Sequence, residues 1–207
     1  MLASIGRVVS GPDVPTVAVT DPPVSGIGSE GPFDDGLTIE AMKRRHIRGV
    51  RLIDREVYAS PWSSILYHDE LRRRGDRIYR IGRLDGRIVA YAGVMIVAGE
   101  GHVTSIAVDP RLQGRQVGAR LLLSVTVAAI DAGVEAMTLE VRVGNRRAQE
   151  LYRRFGYGPA GVRPRYYPDN GEDALIMWCH DIDGSEVASR LALIAAATQS
   201  QGDGSVL

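Results

Sequence analysis

Apolar side chains recur along the chain with two different periods, and the change of period divides it into elements. Residues 37–59 (LTIEAMKRRHIRGVRLIDREVYA) place Ile39, Met42, Ile47, Val50, Ile53 and Val57 at near-helical spacing, which predicts a helix from about Leu37 onward. Ser60 precedes Pro61, a pairing that disfavours the helical region and ends this helix. Ser63 is placed to cap a second helix that stops near Gly75. The period then shortens. RIYRIGRL (77–84) and RIVAYAGVMIVAG (87–99) flank Asp85-Gly86, a dipeptide suited to the positive φ angles of a two-residue hairpin, and GHVTSIAVD (101–109) reads as a third strand. VGARLLLSVTVAAIDA (117–132) is apolar nearly all round, which predicts a buried helix with Gly133 as its stop. AMTLEVRV (136–143) is a strand, and NRRAQELYRRFG (145–156) is a short helix with Asn145 at its cap and Gly156 at its end. ALIMWCH (174–180) is a last strand, followed by a further helix over 185–198.

The order is helices, antiparallel strands, then strand, helix, strand, helix, strand. It predicts an α/β fold of the α+β type, a mixed and mostly antiparallel sheet with helices on both faces. Residues 1–36 show no sustained period and are rich in Gly, Pro, Ser and Val, so they read as a poorly ordered extension. The folded domain is expected at 37–182 and a C-terminal extension at 183–207.

Composition narrows the function classes. The 207 residues are 44% apolar, enough for the core of one domain, and the formal net charge is zero. A neutral chain gives no reason to expect nucleic acid or an anionic membrane as a general partner. Every basic residue except Lys43 is arginine, and the run KRRH (43–46) reads as a solvated helix face, or else a contact for substrate or ribosome. Cys179 stands alone, which excludes a disulfide framework and a cysteine metal cluster, and it reads as a core residue. His46, His68, His102 and His180 lack ligand spacing, so no metal is expected, and His102 at the start of a strand reads as structural. The segment MLASIGRVVSG lacks the charged and apolar regions of a signal peptide, and no apolar run approaches a membrane span, so a cytoplasmic location is expected. The oligomeric state stays open, with a monomer favoured.

Candidate chemistry lies in two segments. In DPRLQGRQVGARLL (109–122), a glycine-spaced turn opens the buried helix, whose first N–H groups lack intrahelical partners and carry the positive end of the helix dipole. Gly114 and Gly118 permit close approach of phosphates, and Arg115 adds a charged fork. The spacing is neither a Walker loop nor a Rossmann fingerprint. In strand 136–143, Thr138, Glu140 and Arg142 share one face while Leu139, Val141 and Val143 share the other. On spacing alone Glu140 belongs to a solvated charged face, and Tyr152 to an ordinary amphipathic helix. Taken as a pair, a carboxylate and a phenol suit acylation of an amine, one taking the proton of the nucleophile and the other assisting a departing thiolate.

These segments resemble the GNAT acyltransferases, and in particular their branch of bacterial ribosomal-protein alanine N-acetyltransferases. Gln113, Val117 and Gly118 fit the Q/R-x-x-G-x-G/A pyrophosphate loop in order, whereas Gln116 stands where the family usually has glycine. ASPWSS (59–64), SIAVDPRLQGRQVG (105–118), TLEVRVGNRRAQELYRRFGY (138–157) and RPRYYPDNGEDALIMW (163–178) resemble that branch in consistent order over roughly 37–180. The resemblance implies acetyl-coenzyme A as cosubstrate, Glu140 as general base and Tyr152 as general acid. It implies Ile106, Ala107 and Val108 as strand backbone facing the acetyl and pantetheine portion. Gly114, Arg115, Gln116, Val117, Gly118 and Ala119 would surround the pyrophosphate, and Asn145 would contact the cofactor. Trp62, Tyr166 and Tyr167 would line a peptide groove. The implied substrate is a protein N-terminus, most simply a ribosomal protein beginning with alanine. Two alternatives stay open: a lysine or small-molecule amine as acceptor, and a non-catalytic acyl-coenzyme A binding module, which Gln116 favours.

Overall fold

The computed structural model describes residues 36–73 and 75–199; the expected N-terminal extension lies almost wholly outside the described residues. The strands are β1 (Thr38–Ala41), β2 (Arg77–Leu84), β3 (Arg87–Val97), β4 (Glu100–Val108), β5 (Ala136–Arg142), β6 (Gly158–Arg163) and β7 (Ala174–Cys179). The helices are α1 (Ile47–Val57), α2 (Ser64–Glu70), α3 (Val117–Asp131), α4 (Arg146–Arg154) and α5 (Ser185–Gln199). The strands form one sheet in the order β1-β2-β3-β4-β5-β7-β6, antiparallel throughout except for the parallel pair β4–β5. Among the described residues no helix is long and apolar enough to cross a membrane.

Local chemistry explains most of these elements. Asp85 and Gly86 take φ of +48° and +76°, the left-handed pair that a tight hairpin between β2 and β3 requires. Ser63 accepts from the Leu66 amide at the start of α2, and Asn145 from the Ala148 amide at the start of α4. Side chains alternate across β3 and β4. Tyr91 and Ala107 face a cluster built on α1 and α2, while Ala90, Ala92, Ile106 and Val108 face a larger cluster that includes Leu121, Leu122 and Val125 of α3. The helix expected at 185–198 forms over Ser185–Gln199 and belongs to that larger core, into which Val187, Leu191 and Ile194 are buried.

Two elements differ from the sequence expectation. The stretch from Leu37 is not helical until Ile47; residues 38–41 pair with β2 in the register Thr38↔Arg83 to Ala41↔Arg80. Long-range contacts decide this, since Glu40 pairs with Arg83 across the strands at 3.0 Å and Arg120 donates to the Leu37 carbonyl at 2.8 Å. Strand β6 was not expected at all, because GPAGVR is poor in strand-forming residues. It forms as an edge strand, where Pro159 needs no partner for a missing N–H. The second helix also ends at Glu70, earlier than Gly75.

One irregularity shapes the middle of the sheet. Gly93 pairs with Ser105 and Val94 with Val103, so Thr104 is an extra residue in β4, a bulge that bends the strand. Strands β4 and β5 pair only from Glu100↔Ala136 to His102↔Thr138. Beyond this point β4 keeps β3 on one side while β5 pairs with β7, and the edge of β4 toward β5 is left open. Gly93 cannot be replaced here: an added Cβ would lie 2.4 Å from the Tyr79 ring.

A buried carboxyl ties the α1 side together. Asp54 accepts from the Tyr67 hydroxyl at 2.7 Å and from the Tyr91 hydroxyl, joining α1, α2 and β3. Burial raises its pKa, and the two phenol hydrogen bonds only partly counter that. Asp54→Ala, which leaves the two phenols only each other as partners at 3.0 Å, is expected to cost about 2–4 kcal/mol in chemical denaturation. An acid with a raised folded pKa contributes its full stability below the unfolded value and loses it as pH rises through the folded value. The stability gap between wild type and Asp54→Asn should therefore narrow from pH 4 to pH 8. A second expectation concerns Gln116, which precedes α3 with φ of +57°. The left-handed region costs a residue with a Cβ about 1–2 kcal/mol, part of which glycine returns as unfolded-chain entropy. Gln116→Gly should raise the melting temperature by about 1–3 °C.

Candidate active site

The divergence of β4 from β5 opens a cleft in the sheet's pairing, with Ile106–Val108 on one strand and Glu140 on the other. Ile106, Ala107 and Val108 are buried, so this stretch of β4 offers the cleft its backbone edge rather than its side chains. The chain then turns at Asp109, whose carboxylate accepts from the Arg111 amide at 3.0 Å and pairs with the Arg111 guanidinium at 2.6 Å. The loop that follows carries two left-handed residues, Gly114 (φ +89°) and Gln116 (φ +57°), on either side of Arg115. Turns of this kind and a helix start both present backbone N–H groups to an anion. Val117, Gly118 and Ala119 form the first turn of α3; Val117 and Ala119 point into the core, while Gly114 and Arg115 are exposed. A Cβ on Gly114 would stand 2.9 Å from Arg147 Nη2, so α4 lays a guanidinium against this loop. Gln116 Oε1 is buried without a hydrogen-bond partner.

On the other wall stands Glu140, which is only 5% exposed, so it does not belong to a solvated face. His102 Nε2 lies 2.6 Å from its Oε2. An ionised carboxylate only accepts, so the imidazole donates here from Nε2, leaving Nδ1 buried without a partner. Arg163 Nε stands 3.1 Å from the other oxygen, as an ion pair outside good hydrogen-bond alignment. Burial alone would raise the pKa of Glu140, but the His102 hydrogen bond and the charges of His102 and Arg163 outweigh it and hold the carboxyl below its ordinary value. Glu140 is thus a buried, ionised acceptor.

Tyr152 is fully buried, its ring 5.7 Å from that of Tyr157, and its hydroxyl has no hydrogen-bond partner. Burial pushes its pKa well above 10, and the hydroxyls of Tyr157, Tyr58 and Tyr167 lie close enough to add to the shift. Tyr167 in turn lies within electrostatic reach of Glu140 and Arg142. Tyr166 and Tyr167 meet edge to face at 5.5 Å, and Arg142 lies 3.7 Å over the Tyr167 ring. The same guanidinium binds Asp169 at 2.9 Å and Glu172 at 3.0 Å, and Glu172 accepts from the Gly144 amide at 2.8 Å, so the loop between β6 and β7 is fastened to the end of β5. Trp62 is buried in the connection between α1 and α2, its ring 5.2 Å from Tyr67. Asn145 spends its side-chain oxygen on capping α4.

Three contributors escaped the sequence pattern. His102 meets Glu140 because the parallel register sets it opposite Thr138, two residues away from Glu140. Arg163 comes from the unexpected edge strand, and Arg147 from the helix that follows Asn145. Cys179 is a free, buried thiol that burial pushes up to about 11, far from a reactive thiolate. Among the described residues no three His, Cys, Asp or Glu side chains are grouped so as to hold a metal ion.

Known proteins share this arrangement. The acetyltransferase (GNAT) family profile matches residues 47–157. A relative from Bacillus subtilis named putative [ribosomal protein bS18]-alanine N-acetyltransferase is 36% identical over 140 residues, covering 68% of this chain and 93% of the relative. The [ribosomal protein bS18]-alanine N-acetyltransferase of Escherichia coli K12 is 32% identical over 143 residues, covering 68% of this chain and 95% of the relative. The crystal structure of the ribosomal-protein-S18-alanine N-acetyltransferase from Escherichia coli superposes with a TM-score of 0.64 at 29% identity, over 70% of this chain and 94% of that one. A profile over more than half of the chain and two relatives spanned almost end to end agree: the chain belongs to the GNAT family of acetyltransferases.

Proposed function

We propose that this enzyme moves an acetyl group from acetyl-coenzyme A to the N-terminal amine of a protein, with a ribosomal protein beginning with alanine as its substrate. Transfer is direct, within a ternary complex. The observation that carries the reading is Glu140, a buried carboxylate kept ionised by His102 and Arg163 where β4 and β5 separate. The names of the relatives support the acceptor.

The residues present suit acetyl-coenzyme A. The open edge of β4 offers pairing to the pantetheine amides, and the turn at Gly114–Ala119 offers N–H groups and Arg115 to the pyrophosphate. When bound, the cosubstrate supplies the thioester. An α-amine has a pKa of about 7.7–8.0 and a lysine about 10.4, so at neutral pH roughly a tenth of the former and under a thousandth of the latter are uncharged. As the amine nitrogen bonds to carbon, its remaining protons become acidic, and a carboxylate of low pKa suffices to take one. Glu140 is that acceptor, and His102 and Arg163 position it. Tyr152 donates toward the departing sulfur. With its pKa raised well above 10, it acts chiefly as a hydrogen-bond donor to the thiolate, retaining its own proton. Tyr166 and Tyr167, held by Arg142, and Trp62 bound the path of the peptide.

Acetyl transfer measured on short peptides with free or blocked N-termini tests this reading. Glu140→Gln should lower kcat by about 10²–10⁴ and Tyr152→Phe by about 10². Transfer confined to an internal lysine would overturn the choice of acceptor. In wild type, kcat/KM should rise with pH and level off near 8, following the substrate amine. Glu140, whose pKa is depressed, is ionised above the ordinary carboxylate value and loses its contribution only as pH falls through the folded value, below 4.5. It should therefore add no inflection between pH 5 and 9.

A further inference from the structure

The outer face of α1 breaks the rules for a solvated helix. Arg48, Arg51 and Arg55 lie at helical spacing on α1, and Arg44, in the 3-10 turn just before it, extends the stripe at its start. Like charges at these spacings repel, and the first turn contains no acidic residue to complement the helix dipole. Among the described residues, Arg44, Arg45, Arg48 and Arg55 make no ion pair. Asp54, on the same helix, is buried on the opposite side and committed to Tyr67 and Tyr91. A sequence that accepts this much local repulsion, in a chain of zero net charge, keeps it for a ligand.

The stripe also lines a concavity. A groove of about 500 Å³ runs between α1 and α2, walled by the arginines at 44, 48, 51 and 55 together with Arg45, Ser64 and His68, and no carboxylate lines it. Arg51 is pinned at its floor by a 2.7 Å hydrogen bond from Nη1 to Ser64, while its Nε is buried without a partner. The site is thus built, with one fork held in place and the others free to close on an anion. Its downstream end, Arg55, leads within a few residues to Tyr58 and Trp62 beside the peptide path.

We infer that this groove binds the phosphodiester backbone of RNA, docking the enzyme on a ribonucleoprotein close to the N-terminus it acetylates. Evenly spaced guanidinium forks fit a ligand of evenly spaced phosphates. The centre of a protein interface is rich in Tyr, Trp and Phe, and none of these lines the groove. His68 is the one ring in its lining, so bases have no stacking platform of Phe, Tyr or Trp and the contact reads backbone rather than sequence. Zero net charge had argued against nucleic acid as a general partner; segregating the charge onto one helix creates a local partner without a global one.

The test is fluorescence anisotropy of a labelled mixed-sequence RNA hairpin with the full chain across a salt series. Four phosphate contacts predict a slope of log K against log salt of about −3. The triple variant Arg44→Gln, Arg48→Gln, Arg55→Gln should bind about 10- to 100-fold more weakly, with a slope near −1. The triple Arg→Lys variant should keep the slope, which separates charge from any loss of folding. Acetylation of a short free peptide should be unchanged in both, so a failure of the proposed acetyl acceptor would be seen separately from a failure of RNA binding. Equal affinity and slope for wild type and the Gln variant would overturn the inference. So would absence of RNA binding at low salt, or binding of an acidic peptide in place of RNA.

Discussion

The Thr104 bulge is the constraint on which the site depends. A sheet whose central strands stayed paired would bury the backbone of Ile106–Val108 against β5 and leave no room for a thioester. Instead β4 bends after three residue pairs with β5. Each strand then satisfies one edge elsewhere, β4 through β3 and β5 through β7. Gly93, directly across from the bulge, makes room for it by yielding its side-chain space to the Tyr79 ring. The cleft is therefore a property of backbone pairing, which explains how buried and apolar residues such as Ile106 and Val108 can belong to a polar site.

Electrostatics completes what the backbone begins. Glu140 sits where burial should neutralise it, and its carboxyl is held below its ordinary pKa by partners that converge from different strands, His102 from β4 and Arg163 from β6. Both arrive by tertiary geometry. Arg142 performs the parallel task for the loop between β6 and β7, stacking on Tyr167 while holding Asp169 and Glu172. Arg111, Arg142 and Arg163 are thus each matched to a carboxylate, whereas among the described residues Arg44, Arg48 and Arg55 are not.

What the sequence made legible follows from what is local. Hairpin turns, caps and the all-apolar helix depend on residues within a few positions of one another, and Asp85-Gly86, Ser63, Asn145 and the 117–132 segment formed as their chemistry predicts. The segments of the candidate site were legible as motifs, since each is a short stretch of consecutive residues. The remainder was set by distant partners. Residues 38–41 have a pattern short enough to suit helix or strand, and Arg83 and Arg120 decide it. The GPAGVR strand forms because β7 offers an edge, and Glu140 left the solvated face because β4 and β6 cover it. Period-two alternation placed Glu140 and Arg142 on the same side of β5, but it carries no information about what lies above that side.

Gln116 shows how a departure from a family pattern is read physically. The loop needs a left-handed residue between Arg115 and Val117, and glycine meets that need without strain. Glutamine meets it too, since φ of +57° lies in the small region open to residues with a Cβ, so the fold of the loop survives the exchange. The cost is local and twofold: backbone strain, and a side-chain amide whose oxygen is buried without a partner beside the phosphate turn. An amide nitrogen on the same side chain is a hydrogen-bond donor, and a pyrophosphate is an acceptor. The replacement thus exchanges a bare backbone approach for a donor that glycine cannot supply, so under the proposed function it would change how the loop holds phosphate and leave Glu140 untouched.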